Sequence, residues 1–538
     1  MGRLSAEQLN NLDRSELVDL VLSQQEELQK LDDKLQKFME EVADANRHRF
    51  GRSTEAFETD GQISFCEIDG TIAFFNEAEA VYDEEVAENP APAARPKRPQ
   101  GKKAADISRL EVVKKTDYYM SAEELETEFG EEGYKQLPDE IINRYYFVPA
   151  KIGLEEIHVG VYSGKKSERM VKADFPAYLM RESLVSPSLE AGVINAKFTN
   201  AVPFYRIEKQ MEANGVSISR QEMARWTIAS AERYLSVLYD YLHRRMYDYH
   251  ILHADETPLL VSKDGRPAGS KSYMWVYRTG QFYEHPIILY EYQRTRNASH
   301  PREFLKDFSG VCLTDGYQVY HTIEKERDDL KIAGCYAHVR RRYDEALKAL
   351  PMSARKGSLA YKALAMIQAI YNADNALKDL PPDERLIKRQ TAVRPLVEAY
   401  FAWCHQHSNN VSSKGKTGNG ISYSLHQEEY LKVFLDDPDV PLDNNSAERS
   451  IRSFCIGKKN FVMIDTISGA KASAIIYSLV ETAKANNLNV YEYMKYLLTE
   501  IPNHMDDTNT EFCEKLLPWS ESLPTECRIK AKNNQAAK

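Results

Sequence analysis

Residues 249–261 read YHILHADETPLLV, and this apolar stretch decides the fold class. Its β-branched and aromatic residues predict a buried strand that ends in the acid Asp255. Further strands are predicted at residues 272–280 (SYMWVYRTG), 285–294 (HPIILYEYQR) and 310–316 (GVCLTDG). The chain therefore contains a sheet whose first and fourth predicted strands both end in a carboxylate.

The order of these elements indicates one architecture. Three successive strands, a helix near residues 300–308 and a fourth strand beside the first are the order of a ribonuclease-H-like α/β domain. Residues 346–435 are mostly helical in pattern, and we expect them to interrupt this domain. Its two parts would then be residues 246–345 and 436–500.

A third acid stands in PLDNNSAERSIRSFCIGKKNFVMID, residues 441–465. This acid, Glu448, is followed in residues 449–459 by four cations and no carboxylate; the cations are Arg449, Arg452, Lys458 and Lys459. A bound metal ion would balance the charge of Glu448, and nucleic-acid phosphates would balance the charges of the four cations. With Asp255 and Asp315 it predicts a site for two divalent ions, in which Asp255 is the bridging ligand.

Other acids compete for these roles, because 81 acidic residues make some such set expected by chance. We interpret Glu256 as a neighbour of the site or as a solvated residue. Asp443, with Asn444 and Asn445, is expected to cap the helix that carries Glu448. Asp465 lies beyond that helix.

The segment CYAHVRRRYDEA, residues 335–346, holds Cys335 and His338 three positions apart. This pair is half of a zinc site and no partner pair is evident, so no zinc is predicted. His338 could approach a scissile phosphate, although spacing alone favours a hydrogen bond in the core. The cations Arg340, Arg341 and Arg342 predict phosphate contacts or, alternatively, a solvated helix face.

Residues 204–235 predict helix, Asn-Gly turn, helix. Ser219 with Glu222 three positions later is a capping box that opens the second helix. A DNA-binding helix-turn-helix would present Arg220, Gln221 and Arg225 to a groove. An ordinary helical hairpin would show the same pattern.

Residues 15–46 follow a heptad pattern with Val21, Leu28, Leu35 and Val42 seven apart. We expect a self-associating coiled coil; an amphipathic helix packed on its own domain is the alternative. The net charge of −11 comes mostly from residues 56–88, which hold ten acids and no Lys or Arg. The rest is near neutral with local basic clusters, which is compatible with DNA binding.

Length and composition predict a multidomain α+β protein. No apolar run is long enough for a membrane span, no signal peptide is evident, and the seven scattered cysteines indicate no disulfide framework, so we expect a cytoplasmic protein.

The predicted divisions are a coiled-coil helix with a basic tail (1–55), an acidic segment and linker (56–106), a small α+β module (107–180), a helix-turn-helix region (181–245), the ribonuclease-H-like domain (246–345 and 436–500), its helical insertion (346–435) and a C-terminal tail (501–538).

Several motifs together resemble transposases of the insertion-sequence-66 family, and the likeness covers nearly the whole chain. They are LHADETPLLV, LTDGYQVY, GCYAHVRRRYDEA, DNNSAERSIRSFCIGKKNFVM, SLVETAKANNLNVYEYMKYLL and LLPW, in the family's order, preceded by its helix-turn-helix and its coiled helix ending in FGRSTE. The resemblance implies a DDE transposase with Asp255, Asp315 and Glu448 as metal ligands. It also implies that Cys335 and His338 lie beside the active site and that Arg449, Arg452 and Lys459 contact DNA.

The family resemblance further implies binding to terminal inverted repeats and target DNA, Mg²⁺-dependent hydrolysis and strand transfer, with Mn²⁺ able to substitute. A homodimer or higher oligomer, small companion proteins and a bacterial, nucleoid-associated location are expected, with no membrane. Relatives commonly carry a cysteine-rich zinc module, but residues 67–311 contain no cysteine, so zinc is not carried over. A metal-free β ribbon around residues 140–175 is expected in its place. The rival functions are a nuclease or resolvase that does not join DNA, and a non-catalytic DNA-binding descendant.

Overall fold

The computed structural model describes residues 183–529 apart from 268 and 413–414, together with short segments between residues 64 and 180. The predicted coil at residues 15–46, the linker and most of the acidic segment lie outside the described residues. The chain divides into two units, residues 51–153 with 530–538, and residues 1–50 with 154–529. In the first of these units, strands β1 (Ser64–Ile68) and β2 (Thr71–Phe75) pair antiparallel.

The larger unit contains a short antiparallel ribbon ahead of its helices. Its strands are β3 (Val161–Ser163) and β4 (Met170–Lys172), with Ser163 opposite Met170. The ribbon lies inside the range 140–175, where a β ribbon was predicted.

Four helices come next: α1 (Pro187–Ile194), α2 (Phe204–Ala213), α3 (Arg220–Ser230) and α4 (Ser236–Met246). Helix α3 begins with the predicted capping box, because the Ser219 hydroxyl accepts from the Glu222 amide and the Glu222 carboxylate accepts from the Ser219 amide. The turn before it holds Gly215 at φ +80°, a conformation that glycine adopts readily.

A mixed sheet forms the centre of this unit. Its strands are β5 (Ile251–Lys263), β6 (Lys271–Thr279), β7 (Ile288–Gln293), β8 (Gly310–Leu313) and β9 (Leu330–Ala333). They lie side by side in the order β7-β6-β5-β8-β9, with β5, β6 and β7 antiparallel and β5, β8 and β9 parallel. Two helices, α5 (Ser299–Phe304) and α6 (Gln318–Glu324), connect β7 to β8 and β8 to β9.

The prediction that the first strand ends at Asp255 is wrong. Strand β5 continues to Lys263, because Leu259 and Val261 beyond the acid are still buried in the core. The parallel pairing with β8 does stop at His253. Asp255 therefore lies just past the parallel part of the sheet, beside the point where β8 ends.

Residues after β9 form a helical layer whose apolar core also includes Ile251, Val311 and Leu313 of the sheet. Its helices are α7 (Tyr336–Ala349), α8 (Met352–Arg355), α9 (Leu359–Asn375), α10 (Pro382–Lys388), α11 (Arg394–His407), α12 (Lys416–His426) and α13 (Glu428–Lys432). Arg389, whose side chain is 1% exposed, pairs with Asp374 and donates to the carbonyls of Phe434 and Val440. This buried cation fastens the segment after α13 to the layer.

The chain then returns to the sheet. The remaining elements are α14 (Asn445–Phe461), β10 (Ile464–Thr466), α15 (Ile467–Ala485), α16 (Val490–Glu500) and α17 (Cys513–Leu516), and β10 pairs parallel with the far end of β5. Helix α15 covers the edge strand β7, where the Thr482 hydroxyl bonds the amide and carbonyl of Ile288 and the Ser478 hydroxyl accepts from the Tyr290 amide. These hydroxyls satisfy backbone groups that an open sheet edge would leave unpaired.

Within the part of the chain that the structure describes, no helix is both long and apolar enough to span a bilayer.

Candidate active site

Three acids predicted from the sequence lie near one another at the end of the parallel strands. Asp255 is on β5, Asp315 follows β8, and Glu448 is in the first turn of α14. Burial raises the pKa of Asp255 well above its usual range, and the negative charges of Glu256, Asp315 and Glu448 raise it further. Such a cluster of carboxylates requires a proton or a cation to be stable.

Asn444 fixes the start of α14 against the sheet. Its side-chain amide donates to the Ala254 carbonyl at 2.8 Å, and its Oδ1 is 2.8 Å from Nδ1 of His253. Burial lowers the pKa of His253 to about 4, so the neutral ring donates through Nδ1. The backbone amide of Asn444 donates to Sγ of Cys335 at 3.1 Å. One buried residue thus joins β5, α14 and the start of α7.

The loop that carries Asp315 is held by the helical layer. Oδ1 of Asp315 accepts from the Tyr317 amide at 2.9 Å, and the Tyr423 hydroxyl donates to the Asp315 carbonyl at 2.6 Å. Gly316 has φ +86°, and a Cβ there would lie 2.8 Å from Oε1 of Gln427. The inserted helices therefore pack beside the site and also hold Asp315 in position.

Glu256 is paired with a cation, so the alternative that it is solvated is wrong. Its side chain is 2% exposed and accepts from Nε of Arg296 at 2.6 Å. Burial and the charge of Asp315 raise the pKa of Glu256 to about 7, against the lowering effect of Arg296. The same guanidinium lies 3.9 Å from Oδ2 of Asp315 and 3.7 Å from the centre of the Tyr317 ring.

Sequence reasoning missed Arg296. The available signal was a pair of arginines, Arg294 and Arg296, directly after the third predicted strand. Arg296 contacts both Glu256 and Asp315, and it is therefore a positioning residue of the site.

Glu448 points toward α7. Its Oε2 accepts from Nη2 of Arg341 at 3.2 Å, and its Oε1 lies 3.8 Å from Nδ1 of His338. Of the residues that the structure describes, only Cys335, His338 and Glu448 form a group of three whose candidate metal-binding atoms all lie within 4.8 Å of one another. Glu448 thus faces the Cys-x-x-His pair at the start of α7.

Comparison with protein families gives a match over more than half of the chain. The model described as "Transposase IS66 family" covers residues 182–472, which include the sheet, the inserted helices and all three acids. The chain belongs to the IS66 family of transposases. The "IS66 C-terminal element" matches residues 478–519, and "Transposase C of IS166 homeodomain" matches residues 37–114.

Two similar proteins come from one bacterial species. The protein y4qI of Sinorhizobium fredii, described as uncharacterized, is 28% identical over 86% of this chain and 84% of its own length. A second uncharacterized protein of that organism, y4jD, is 26% identical over 65% of this chain and 69% of its own length.

The predicted DNA-contact residues of this IS66 chain fall into two groups. In the first group, on α7, Arg340 donates to Oε1 of Gln368 at 2.9 Å and Arg341 donates to Glu448. The others form no ion pair with a carboxylate among the described residues; they are Arg449, Arg452, Lys458, Lys459, Arg220 and Arg225. Exposed positions on α3 hold Arg220, Gln221 and Arg225.

The cations of α14 lie along one helix that begins at the site. Arg449 donates to Oγ of Ser446 at 3.2 Å, and Nε of Arg452 is buried without a hydrogen-bond partner. Lys458 donates to the Pro258 carbonyl at 2.8 Å, while Lys459 is exposed.

The rival acids near α14 have structural roles. Oδ1 of Asp443 accepts from the Asn445 amide, the first of the helix, at 3.1 Å, whereas the N-cap residue itself is Asn444 and its side chain makes no cap hydrogen bond. Asp465 lies on β10 and pairs with Lys263 at 2.7 Å.

Proposed function

We propose that this IS66-family chain is a DDE transposase that hydrolyses the phosphodiester at the ends of its element and joins the freed 3′-hydroxyl to target DNA. The observation that carries the proposal is the meeting of Asp255, Asp315 and Glu448 from three distant parts of the chain. Burial is the main cause of the raised pKa of Asp255, and the negative charges of Glu256, Asp315 and Glu448 raise this pKa further.

The sheet supports a ribonuclease-H-like core. In its order β7-β6-β5-β8-β9, β8 lies beside β5. Neighbouring strands among β5, β6 and β7 are antiparallel, whereas β8 and β9 run parallel to β5. Asp255 lies on β5, and Asp315 follows the neighbouring parallel strand β8. Both carboxylates could therefore reach a shared ion.

The donor set of the three acids fits a hard divalent cation. All three offer carboxylate oxygens, and Asp255 forms no ion pair with Lys, Arg or His in the described structure. Mg²⁺ prefers such oxygen ligands, and Mn²⁺ would substitute. When bound, the ions supply activation of the attacking oxygen and stabilisation of the leaving oxygen.

Other residues would hold and orient DNA. Arg449, Arg452 and Lys459 extend from the site along α14, where their charges can meet successive phosphates. Arg220, Gln221 and Arg225 on α3 would contact a groove of the terminal inverted repeat. The N-terminal coil would bring two protomers, and so two ends, together.

A strand-transfer assay tests the proposal. Wild-type protein is given labelled duplex from the element ends and a target plasmid with Mg²⁺ or Mn²⁺. Asp255→Asn, Asp315→Asn and Glu448→Gln should each lower joining about a thousandfold or more, because bound metal contributes several kcal/mol to the transition state. DNA binding measured by gel shift should be retained.

The matched control is Asp465→Asn, the same change at an acid that pairs with Lys263 on the surface. It should leave joining unchanged. Substantial joining by any of the three variants would remove that residue from the site. Cleavage without joining would favour the nuclease or resolvase, and binding without chemistry in either metal would favour the non-catalytic descendant.

A further inference from the structure

Two buried atoms face each other beside the proposed catalytic site without a partner. Nδ1 of His338 and Oε1 of Glu448 are 3.8 Å apart, and neither has a hydrogen-bond partner. This separation is too long for a hydrogen bond. Unpaired buried polar atoms cost free energy, so the arrangement favours an occupant between them.

A sulfur atom completes the arrangement. Sγ of Cys335, at the start of the helix that carries His338, lies within 4.8 Å of a ring nitrogen of His338 and of a carboxylate oxygen of Glu448. Ligands around a tetrahedral zinc ion are roughly 3.3–3.8 Å apart, given metal–ligand bonds of about 2.0–2.3 Å. Side-chain adjustments on the order of an ångström would bring the three atoms to that geometry.

The chemistry of the donors differs from that of the three acids. A thiolate, an imidazole and a carboxylate favour borderline-soft ions such as Zn²⁺ or Co²⁺ over Mg²⁺. The sequence showed Cys335 and His338 as half of a site, and the missing ligand comes from α14, far along the chain.

We propose that Cys335, His338 and Glu448 form a binding site for a borderline-soft divalent ion, separate from the Mg²⁺ site but sharing Glu448 with it. A fourth position would be open to water. If the proposed function holds, one carboxylate serves two sites, so Zn²⁺ occupancy withdraws Glu448 from catalysis and inhibits the Mg²⁺ reaction.

Cobalt spectroscopy of the reduced, full-length protein tests the binding claim without DNA. Wild-type protein titrated with Co²⁺ should develop a near-ultraviolet thiolate-to-cobalt charge-transfer band and the visible bands of four-coordinate Co²⁺. Cys335→Ser should lose the charge-transfer band. His338→Gln and Glu448→Gln keep the thiol, and each should weaken Co²⁺ binding about tenfold or more.

Two matched variants define the controls. Cys404→Ser changes another buried cysteine, one in the inserted helices, and should keep the band. Asp255→Asn should also keep the band while losing strand transfer, which separates this site from the catalytic proposal. Serine at position 335 can still accept from the Asn444 amide, and the thermal unfolding midpoint checks that each variant is folded.

The proposal is overturned if wild type gives no charge-transfer band, if the band survives in Cys335→Ser, or if neither His338→Gln nor Glu448→Gln weakens binding. None of these results depends on catalysis. Conversely, a protein that never joins DNA in Mg²⁺ could still give the full cobalt spectrum, so the two proposals fail independently.

Discussion

At the scale of single residues, Arg296 supplies a positive charge that faces two acids of the candidate site. It pairs with buried Glu256 and lies 3.9 Å from Asp315, so two acids depend on one cation. Removing it would leave a buried carboxylate without a partner, a change that is usually costly.

We predict that Arg296→Met lowers the free energy of unfolding by about 2–3 kcal/mol, less than for a fully buried pair because the Arg296 side chain is 36% exposed. Adding Glu256→Gln should recover most of the loss, since the stranded charge is then gone. Urea unfolding of the single and double variants measures both effects.

The control is Arg302→Met, which breaks the exposed pair with Glu326 and should cost less than about 1 kcal/mol. Equal losses in the two arginine variants, or no recovery on adding Glu256→Gln, would contradict the role assigned to Arg296.

Residue-level prediction from the sequence succeeded where local context is informative. Asp465 lies beyond the helix as its neighbours indicate, and Asp443 accepts from the first helical amide, although the N-cap is Asn444. The roles of Arg296 and Asn444 depend on partners contributed by other elements, so no local pattern could reveal them. The catalytic assignment of the three acids stays a prediction.

At the scale of elements, the position of Glu448 depends on how closely α14 packs against α15. Gly457 allows this approach, because a Cβ at this position would clash with the Tyr477 hydroxyl oxygen. That hydroxyl is buried without a hydrogen-bond partner. The contact therefore fixes α14 through shape and leaves no room for a methyl group.

We predict that Gly457→Ala destabilises the protein by about 1 kcal/mol net, because overpacking costs about 1–3 kcal/mol and helix propensity returns about 1 kcal/mol. Tyr477→Phe in the same chain should restore stability, since it removes the clashing atom. Thermal unfolding gives the comparison.

Gly192→Ala in α1 is the control, since its nearest Tyr491 atom would be at 4.0 Å, an ordinary contact. There the change should stabilise by up to about 1 kcal/mol. Stabilisation by Gly457→Ala would show that α14 is free to move, against the packing described above.

Element prediction from the sequence identified β5 to β8 and the position of β8 beside β5, but it did not include β9 or β10 and misplaced the end of β5. Alternation and β-branched residues indicate where β5 begins, whereas its end depends on the burial of Leu259 and Val261 beneath later elements. An acid inside a strand resembles a terminus when only the local sequence is considered.

At the scale of the whole molecule, the coil predicted at residues 15–46 would determine how many chains act together. Leu28 and Leu35 occupy equivalent heptad positions there, outside the described residues. Lysine at such positions places charges in the seam between helices and disfavours pairing.

We predict that Leu28→Lys with Leu35→Lys converts a dimer or larger oligomer into a monomer, measured by light scattering after size exclusion. The control adds the same charge at outward positions, Gln29→Lys with Gln36→Lys, and should leave the mass unchanged. An unchanged mass in the leucine variant with a lower unfolding midpoint would instead indicate a helix packed on its own domain.

The hydrogen bond between His253 and Asn444 joins residues 191 apart in sequence. At about 5–20 residues per second, roughly 10–40 s of synthesis separate these two residues. From the synthesis of Asp315 until the end of that interval, a growing chain has its first two acids but lacks Glu448 and the residue that would hold it. A chain still on the ribosome, or one ended early by a stop codon in the inserted helices, therefore has no complete site. Under the proposed function, only finished molecules could therefore act on DNA near the gene.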